Sequence, residues 1–466
     1  MIKIMENSLE VNNKIAKTNA RLLAVRILSR VDKEKSYANL LLRSVLKEVG
    51  DPRDRHFVTA LVNGVLKNRT LLDYVLRKHL SKPLSSLPME IREVLRIGAF
   101  QILFMDNIPD PVAVNESVNT AKSVHTKYSS LVNGVLHRVS EIGWNFSWPD
   151  KQKNALHYLN VRYSHPEWML KRWLKRWGLE ETEKFCIVNN RPSPTCIRTN
   201  ALKTNRRDLA ERLKAEGIVV EESAKLPQAM IIKDFGAIDA LTSFREGHFT
   251  VQDESSQLGA YLLGAKPGDR VLDVCSAPGG KTSYLAEMME NKGSITAVDI
   301  YSQKLELVKN LANRLGINII NAVESDARVL EGIEGKFDRV LVDAPCSGLG
   351  VLRRRADLRW HKLEDELEIF PEIQLAILMR AAEFVRAGGE LVYSTCTVEP
   401  VENFEVVKAF RKACPWFEPV DLSEKLPFVV NEENDLRQLK KGVWQILPQH
   451  QNMDGFFIAK FCLSGL

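Results

Sequence analysis

Apolar residues recur at helical spacing through the first third of the chain. Ile91, Val94, Leu95, Gly98, Ala99, Ile102 and Leu103 fall at i, i+3, i+4 and i+7, which places them on one helical stripe. Pro88 and Pro109 bracket that stretch, where helix boundaries are expected. The hexapeptide LVNGVL occurs at 61–66 and again at 131–136, each time inside an apolar-periodic run. Gly64 and Gly134 each cost about 1 kcal/mol relative to alanine in a helix interior, so close packing against a neighbouring helix is the natural compensation. Residues 1–145 therefore predict a helical bundle.

The pattern changes twice further on. In 146–190, Trp168, Trp173 and Trp177 interleave with Lys171, Arg172, Lys175 and Arg176. Two readings stand: stacking and phosphate contacts to RNA, or an amphipathic helix with its tryptophans inward and a solvated basic face. From Thr195 to Phe249, short β-like pieces (CIRTN, GIVVEE, AMIIK, HFTVQ) surround one helix, Arg206–Glu216, which makes 146–250 a helical linker with a small α+β unit. In 251–466, strand candidates Arg270–Cys275, Ile295–Asp299, Ile319–Glu324, Arg339–Asp343 and Glu390–Thr395 alternate with helices. That order predicts a mostly parallel, Rossmann-like sheet with helices on both faces and ligands at the strands' C-terminal ends. The stretch GVWQILPQHQNMDGFFIAKF adds two strands and a polar turn.

Length supports this division, because 466 residues exceed what one core covers. The net charge of +6 is unevenly spread, at +7 for 1–150, +6 for 151–250 and −7 for 251–466. A polyanion gripped by the front and presented to the back fits that distribution. The seven cysteines form no C-x-x-C pair, the start reads as no secretory signal, and no apolar run reaches a membrane span. A cytoplasmic, monomeric enzyme with free thiols and neither metal nor membrane partner is expected.

The chemistry concentrates at the predicted strand ends. Val271 to Thr282 reads as a buried strand, the small-residue loop Cys275-Ser276-Ala277-Pro278-Gly279-Gly280-Lys281, and a helix start. Small residues let backbone N–H groups approach an anionic or carboxylate-bearing ligand there. A phosphate-binding P-loop is the rival, but it needs glycine where Cys275 stands, and Pro278 interrupts its nest of donors. Asp299, where such folds hold ribose hydroxyls, joins Asp273, Asp326 and Asp343 as acidic tips. Four carboxylates suit S-adenosylmethionine, with its sulfonium, amine and diol, better than a triphosphate.

Two thiols sit on the same rim: Cys346 in Asp343-Ala344-Pro345-Cys346-Ser347-Gly348, and Cys396 in Tyr393-Ser394-Thr395-Cys396-Thr397. Carbon 5 of cytosine is a poor nucleophile. A thiolate added at carbon 6 turns it into an enamine carbon able to attack a methyl sulfonium, and elimination must follow. A second thiol has work at that later stage, and the chemistry alone does not say which thiol is which.

CSAPGGKTS, VLVDAPCSGLG and LVYSTCT resemble the nucleotide, Pro-Cys and Thr-Cys motifs of the NOL1/NOP2/Sun family of RNA cytosine-5 methyltransferases. The likeness covers 195–466, the front resembles a NusB-like domain, and SHPEW (164–168) and QDESSQ (252–257) also look familial. The resemblance implies methylation of carbon 5 of a cytosine in 16S rRNA. It implies Cys396 as nucleophile, Cys346 in product release, and Asp343 beside the target base. It further implies that Cys275, Ser276, Ala277, Pro278, Gly279, Gly280, Lys281, Asp299, Asp326 and Asp343 bind the cofactor. Arg353, Arg354 and Arg355, a basic exception in the acidic segment, are expected on RNA backbone with Lys171 and Arg172. Competing readings are a DNA cytosine-5 methyltransferase, which needs only the Pro-Cys thiol, and a non-catalytic RNA-binding assembly factor.

Overall fold

The computed structural model describes residues 19–465; the parts of the helical-front and no-signal expectations that fall on 1–18 lie outside them. The chain forms two compact units. One comprises the described residues up to Arg191 together with Leu352–Lys362, the other Pro192–Val351 and the described residues from Leu363 on.

In the first unit, α1 (Ala20–Glu34), α2 (Ala38–Val45), α3 (Pro52–Arg77), α4 (Met89–Phe104), α5 (Asp110–His125), α6 (Ser129–Ile142) and α7 (Ala155–Tyr163) contribute to one apolar core, and α8 (Glu167–Asn190) follows. Each entrance follows its local chemistry: Asn19 and Asp51 cap α1 and α3 through their side chains, and Pro52 and Pro111 occupy first-turn positions. The two LVNGVL copies are not equivalent. A Cβ on Gly64 would meet the Phe100 ring at 2.0 Å, whereas Gly134 faces open space; the second close approach is at Gly98, against Leu136 at 2.4 Å. Compensation by close packing therefore holds at Gly64 and fails at Gly134.

Leu352–Lys362, a few residues past the Pro-Cys motif, is bound into this helical unit. Arg359 is buried and donates to Asn190 Oδ1 at 2.7 Å and to the Asn189 carbonyl at 2.9 Å. Trp360 Nε1 donates to the Leu66 carbonyl at 2.8 Å, and Asp357 accepts the Ala38 N–H at 3.3 Å. SHPEW forms the turn that receives Arg359: Ser164 ends α7 with φ +53°, and its carbonyl lies 3.3 Å from Arg359 Nη1.

The second unit holds two sheets. β1 (Thr195–Thr199), β2 (Val219–Glu222), β3 (Ala229–Lys233) and β4 (Phe249–Val251) pair antiparallel in the order 2-3-1-4, with α9 (Arg206–Ala215) between β1 and β2 in sequence. The larger sheet is built from β5 (Arg270–Asp273), β6 (Ser294–Asp299), β7 (Ile320–Glu324), β8 (Phe337–Asp343), β9 (Val385–Thr395), β10 (Phe417–Pro419), β11 (Val443–Ile446) and β12 (Phe456–Leu463). Its order is 10-12-9-8-5-6-7, with β11 on β12; β5 to β9 run parallel to one another, and β12 joins β9 antiparallel. The order reverses at β5, where β6 and β8 flank it, so a crevice opens outside the C-terminal ends of β5 and β8. β5 stops at Asp273, two residues short of expectation, because the chain turns there into the glycine loop. β10 and the long start of β9 had no alternating pattern to announce them.

A buried ion pair joins the small sheet to the helix that follows β5. Arg198 of β1 is fully buried; its Nη2 donates to Glu287 Oε1 at 2.7 Å and its Nε to Oε2 at 3.1 Å. Glu287 lies in α11 (Gly280–Met288), the helix that starts from the glycine loop, and Arg198 Nη1 also caps the Gly280 carbonyl at 2.7 Å.

Candidate active site

A cavity of about 350 Å³ lies at the crevice. It takes in Cys275, Ser276, Ala277, Pro278, Gly280, Lys281, Asp343 and Cys396 of the residues anticipated from sequence; Gly279, Asp299, Asp326 and Cys346 are outside its lining. Gln252, Asp253, Ser255 and Ser256 also line it, which places the QDESSQ segment beside the glycine loop, along with Asp454 and Phe456 before and in β12. These residues were missed as site residues, although the segment's composition had drawn notice.

The loop is built for close approach. Gly279 has φ +102°, a conformation strained for any side chain, and its Cβ would press on Val308 at 3.1 Å. Ser276 ties the loop to β6, its N–H and hydroxyl both donating to the Val298 carbonyl at 2.8 and 3.0 Å. α11 then begins with its first N–H groups unused by the helix, a setting that favours an anionic group.

Asp273, at the end of β5, is buried and accepts the Thr282 hydroxyl at 2.7 Å. Burial pushes its carboxyl up to about 7. A carboxyl whose folded value exceeds its unfolded one contributes fully at low pH and loses that contribution as pH climbs through the folded value. The stability of the protein relative to its Asp273→Asn variant is therefore expected to fall by a few kcal/mol between about pH 4 and 7 and to stay level above. Urea midpoints of both proteins across that range measure it; a constant difference would contradict the assignment.

The other acidic tips differ in their surroundings. Asp299 Oδ1 accepts the Tyr301 N–H at 3.0 Å. Asp326 is held below the usual carboxylate range by its hydrogen bonds from the Arg328 guanidinium. Asp343 receives Lys281 Nζ at 2.6 Å on one oxygen and the Ser394 hydroxyl at 2.8 Å on the other, and Lys281 also donates to Ser256 at 3.1 Å. The lysine of the glycine loop thus points across the crevice at the tip of β8.

Cys346, in the loop after β8, and Cys396, just past β9, bring their Sγ atoms to 3.4 Å. Contact with the second sulfur, then burial, pushes the Cys346 thiol well above its ordinary value, so it stays protonated at neutral pH. A protonated thiol at that distance can donate a weak hydrogen bond to its neighbour. The loop between Cys346 and Val351 is locked by backbone: Gly350 N donates to the Cys396 carbonyl at 3.0 Å, and Gly455 N to the Gly350 carbonyl at 2.8 Å.

The basic candidates divide. Arg353 is only 8% exposed. Arg354 and Arg355 are half-buried, and Arg355 stacks on Tyr37 with its charge 4.5 Å from the ring centre. On α8, Lys171 is exposed and Arg172 half-buried, while Trp173 is fully buried against Phe185 and Trp177 packs on both. The inward reading of the tryptophans is the one the structure supports.

A helical unit, a small antiparallel sheet and a Rossmann-like sheet carrying two thiols beside a glycine loop define a methyltransferase of the kind that handles RNA. The model for "16S rRNA methyltransferase RsmB/F" matches residues 260–462, that for the NusB family 18–141, and an RsmF/B-like ferredoxin-like domain 165–239. The probable ribosomal RNA small subunit methyltransferase B of Bacillus subtilis is 40% identical over 96% of this chain and 100% of its own length. The Pseudomonas putida ribosomal RNA small subunit methyltransferase B is 32% identical over 95% and 98%. Among solved structures, PH0851 superposes with a TM-score of 0.79 at 28% identity, covering 96% of this chain and 99% of its own. NSun6 from Pyrococcus horikoshii with SFG gives 0.57 at 24% identity, over 64% and 98%, a likeness of fold. The chain belongs to the ribosomal RNA small subunit methyltransferase B family.

Proposed function

We propose that this protein methylates carbon 5 of a cytosine in 16S rRNA through a transient bond between Cys396 and carbon 6 of the base. The observation that carries the reading is the pair of thiols 3.4 Å apart, with Cys396 on the wall of a cavity that also holds the glycine loop. Residues of that cavity fit S-adenosylmethionine. Its carboxylates Asp273 and Asp343 suit a cationic ligand with amine and hydroxyl donors, Gly280 leaves room for close approach, and the volume lies within the range of small-molecule sites. Bound there, the cofactor supplies an electrophilic methyl group. Asp299 and Asp326, outside the cavity lining, are proposed to reach its ribose and adenine portions.

The chain's own residues do the rest. Cys396 attacks carbon 6 as thiolate, which makes carbon 5 nucleophilic. Asp343, oriented by Lys281 and Ser394, faces the ring's N3 and amine and stabilises the adduct. After methyl transfer the carbon 5 proton passes to solvent as the carbon 6–sulfur bond breaks and Cys396 leaves as thiolate, with Cys346 assisting by donating its S–H to the departing sulfur. The target cytosine must be unpaired or extruded to be reached. Bisulfite sequencing of 16S rRNA from cells with and without the gene tests the reading; identical maps would overturn it, and competition between RNA and DNA substrates separates the DNA alternative.

Lys171, Arg172, Arg354 and Arg355 are proposed to contact RNA phosphates, with the protein acting as a cytoplasmic monomer. Replacing Lys171 and Arg172 by alanine is expected to weaken RNA binding about tenfold at low salt and to lower the slope of log affinity against log salt by about 2 or less. Fluorescence anisotropy over a salt series measures both; an unaltered slope removes these residues from the interface.

A further inference from the structure

The residues that follow the two cysteines converge on one buried carboxylate. Glu402 lies between β9 and α14 (Phe404–Ala413) and is 0% exposed. Its Oε2 accepts the backbone N–H of Ser347 at 2.8 Å, and its Oε1 the Ser347 hydroxyl at 2.5 Å. The Thr397 hydroxyl lies 3.0 Å from the same Oε1 and 2.8 Å from Ser347 Oγ. Gln374, on α13 (Ile369–Ala382), donates to Oε2 at 3.1 Å and to the Pro345 carbonyl at 2.9 Å. The backbone of Glu402 is held as well, its carbonyl receiving the Tyr393 hydroxyl at 2.6 Å.

We propose that Glu402 is a positioning residue that sets the separation of the two thiols, its carboxylate clasping Ser347 beside Cys346 and Thr397 beside Cys396. An ionised carboxylate accepts hydrogen bonds at both oxygens and donates none, which is what this donor set requires. Both side-chain and backbone partners of Oε2 are N–H groups, so an amide nitrogen in its place would face two donors. Burial pushes the Glu402 carboxyl up, and among the described residues the groups bonded to it, Ser347, Thr397 and Gln374, carry no charge. A well-packed apolar residue is often as stable in such a place, so the carboxylate is better accounted for by placement than by stability. The catalytic consequence rests on the proposed thiol mechanism; the geometric one does not.

Phenylarsine oxide tests the geometry, because one arsenic bridges two thiols only when they are close, releasing water from the arsenic oxygen and the two sulfhydryl protons. Intact mass spectrometry and titration of the full chain are expected to show a bridged species that Cys346→Ala and Cys396→Ala lack. In Glu402→Gln, bridging is expected to weaken at least about tenfold as the effective concentration of the second thiol falls. Methyl transfer by the same variant is expected to lose about 100-fold in kcat, the scale of a misplacement near 1 Å, with cofactor affinity and the KM for RNA unchanged. Bridging within twofold of the parent overturns the proposal. If Glu402→Gln does not fold, Ser347→Ala and Thr397→Val each remove one arm of the clasp, and parental bridging in both overturns it equally. Should the parent yield no 5-methylcytosine, the arsenical measurement still decides the role of Glu402, and the functional reading alone fails.

Discussion

Incubated with 16S rRNA and S-adenosylmethionine, the Cys396→Ala variant is expected to lose at least about 10⁴-fold in methyl transfer and to form no covalent complex, the scale seen when a covalent nucleophile is removed. Cys346→Ala is expected to behave differently, accumulating a protein–RNA species that resists denaturing electrophoresis. The asymmetry follows from the proposed order of events, in which nothing begins without the nucleophile, whereas without the second thiol the adduct forms and is not resolved. The 3.4 Å between the sulfurs allows both to address one pyrimidine ring. Normal methyl transfer by the Cys396 variant, or adduct accumulation by that variant instead of the other, would reverse the roles.

The second large effect is structural. Arg198→Ala is expected to destabilise the larger unit by about 3–5 kcal/mol, since it leaves Glu287 as an uncompensated buried carboxylate. Burial already pushes the Glu287 carboxyl up with Arg198 present. Without the guanidinium its folded value rises further, so the loss is smaller at low pH, where Glu287 is neutral, and grows as pH rises. Because Arg198 also caps Gly280 at the start of α11, cofactor affinity is expected to fall with stability. Urea midpoints at pH 5 and pH 8, with calorimetric titration of the cofactor, measure both. A midpoint equal to the parent's at pH 8 would show that the pair contributes nothing.

Much of the catalytic half was legible because its signals are local. Short apolar runs ending in acidic residues mark strands whose C-terminal tips share one edge, and small residues after β5 mark a loop that a ligand approaches. The five strands anticipated around the crevice needed no long-range information beyond that alternation. The helical front was readable for the same reason, from its period. The tryptophans of α8 were ambiguous because a helical repeat places side chains on a face without saying what that face meets. Trp173 proved to meet Phe185 in the core. A run of three arginines reads as surface charge, but Arg353 is buried, and the segment from Leu352 to Lys362 is drawn into the helical unit, where Arg359 finds carbonyl partners.

By itself, then, the amino-acid order determined the element types, the edge at which ligands gather, and the two thiols as candidates, since each depends on neighbours a few residues apart. Only tertiary structure decided that Cys346 and Cys396 touch, that Glu402 bonds to Ser347 after the first of them, that Arg198 ties the small sheet to the helix after the glycine loop, and that a stretch past the Pro-Cys loop belongs with the helices. Those facts join residues from about 50 to 300 positions apart, and such pairings are set by strand register and core packing, which no local pattern encodes.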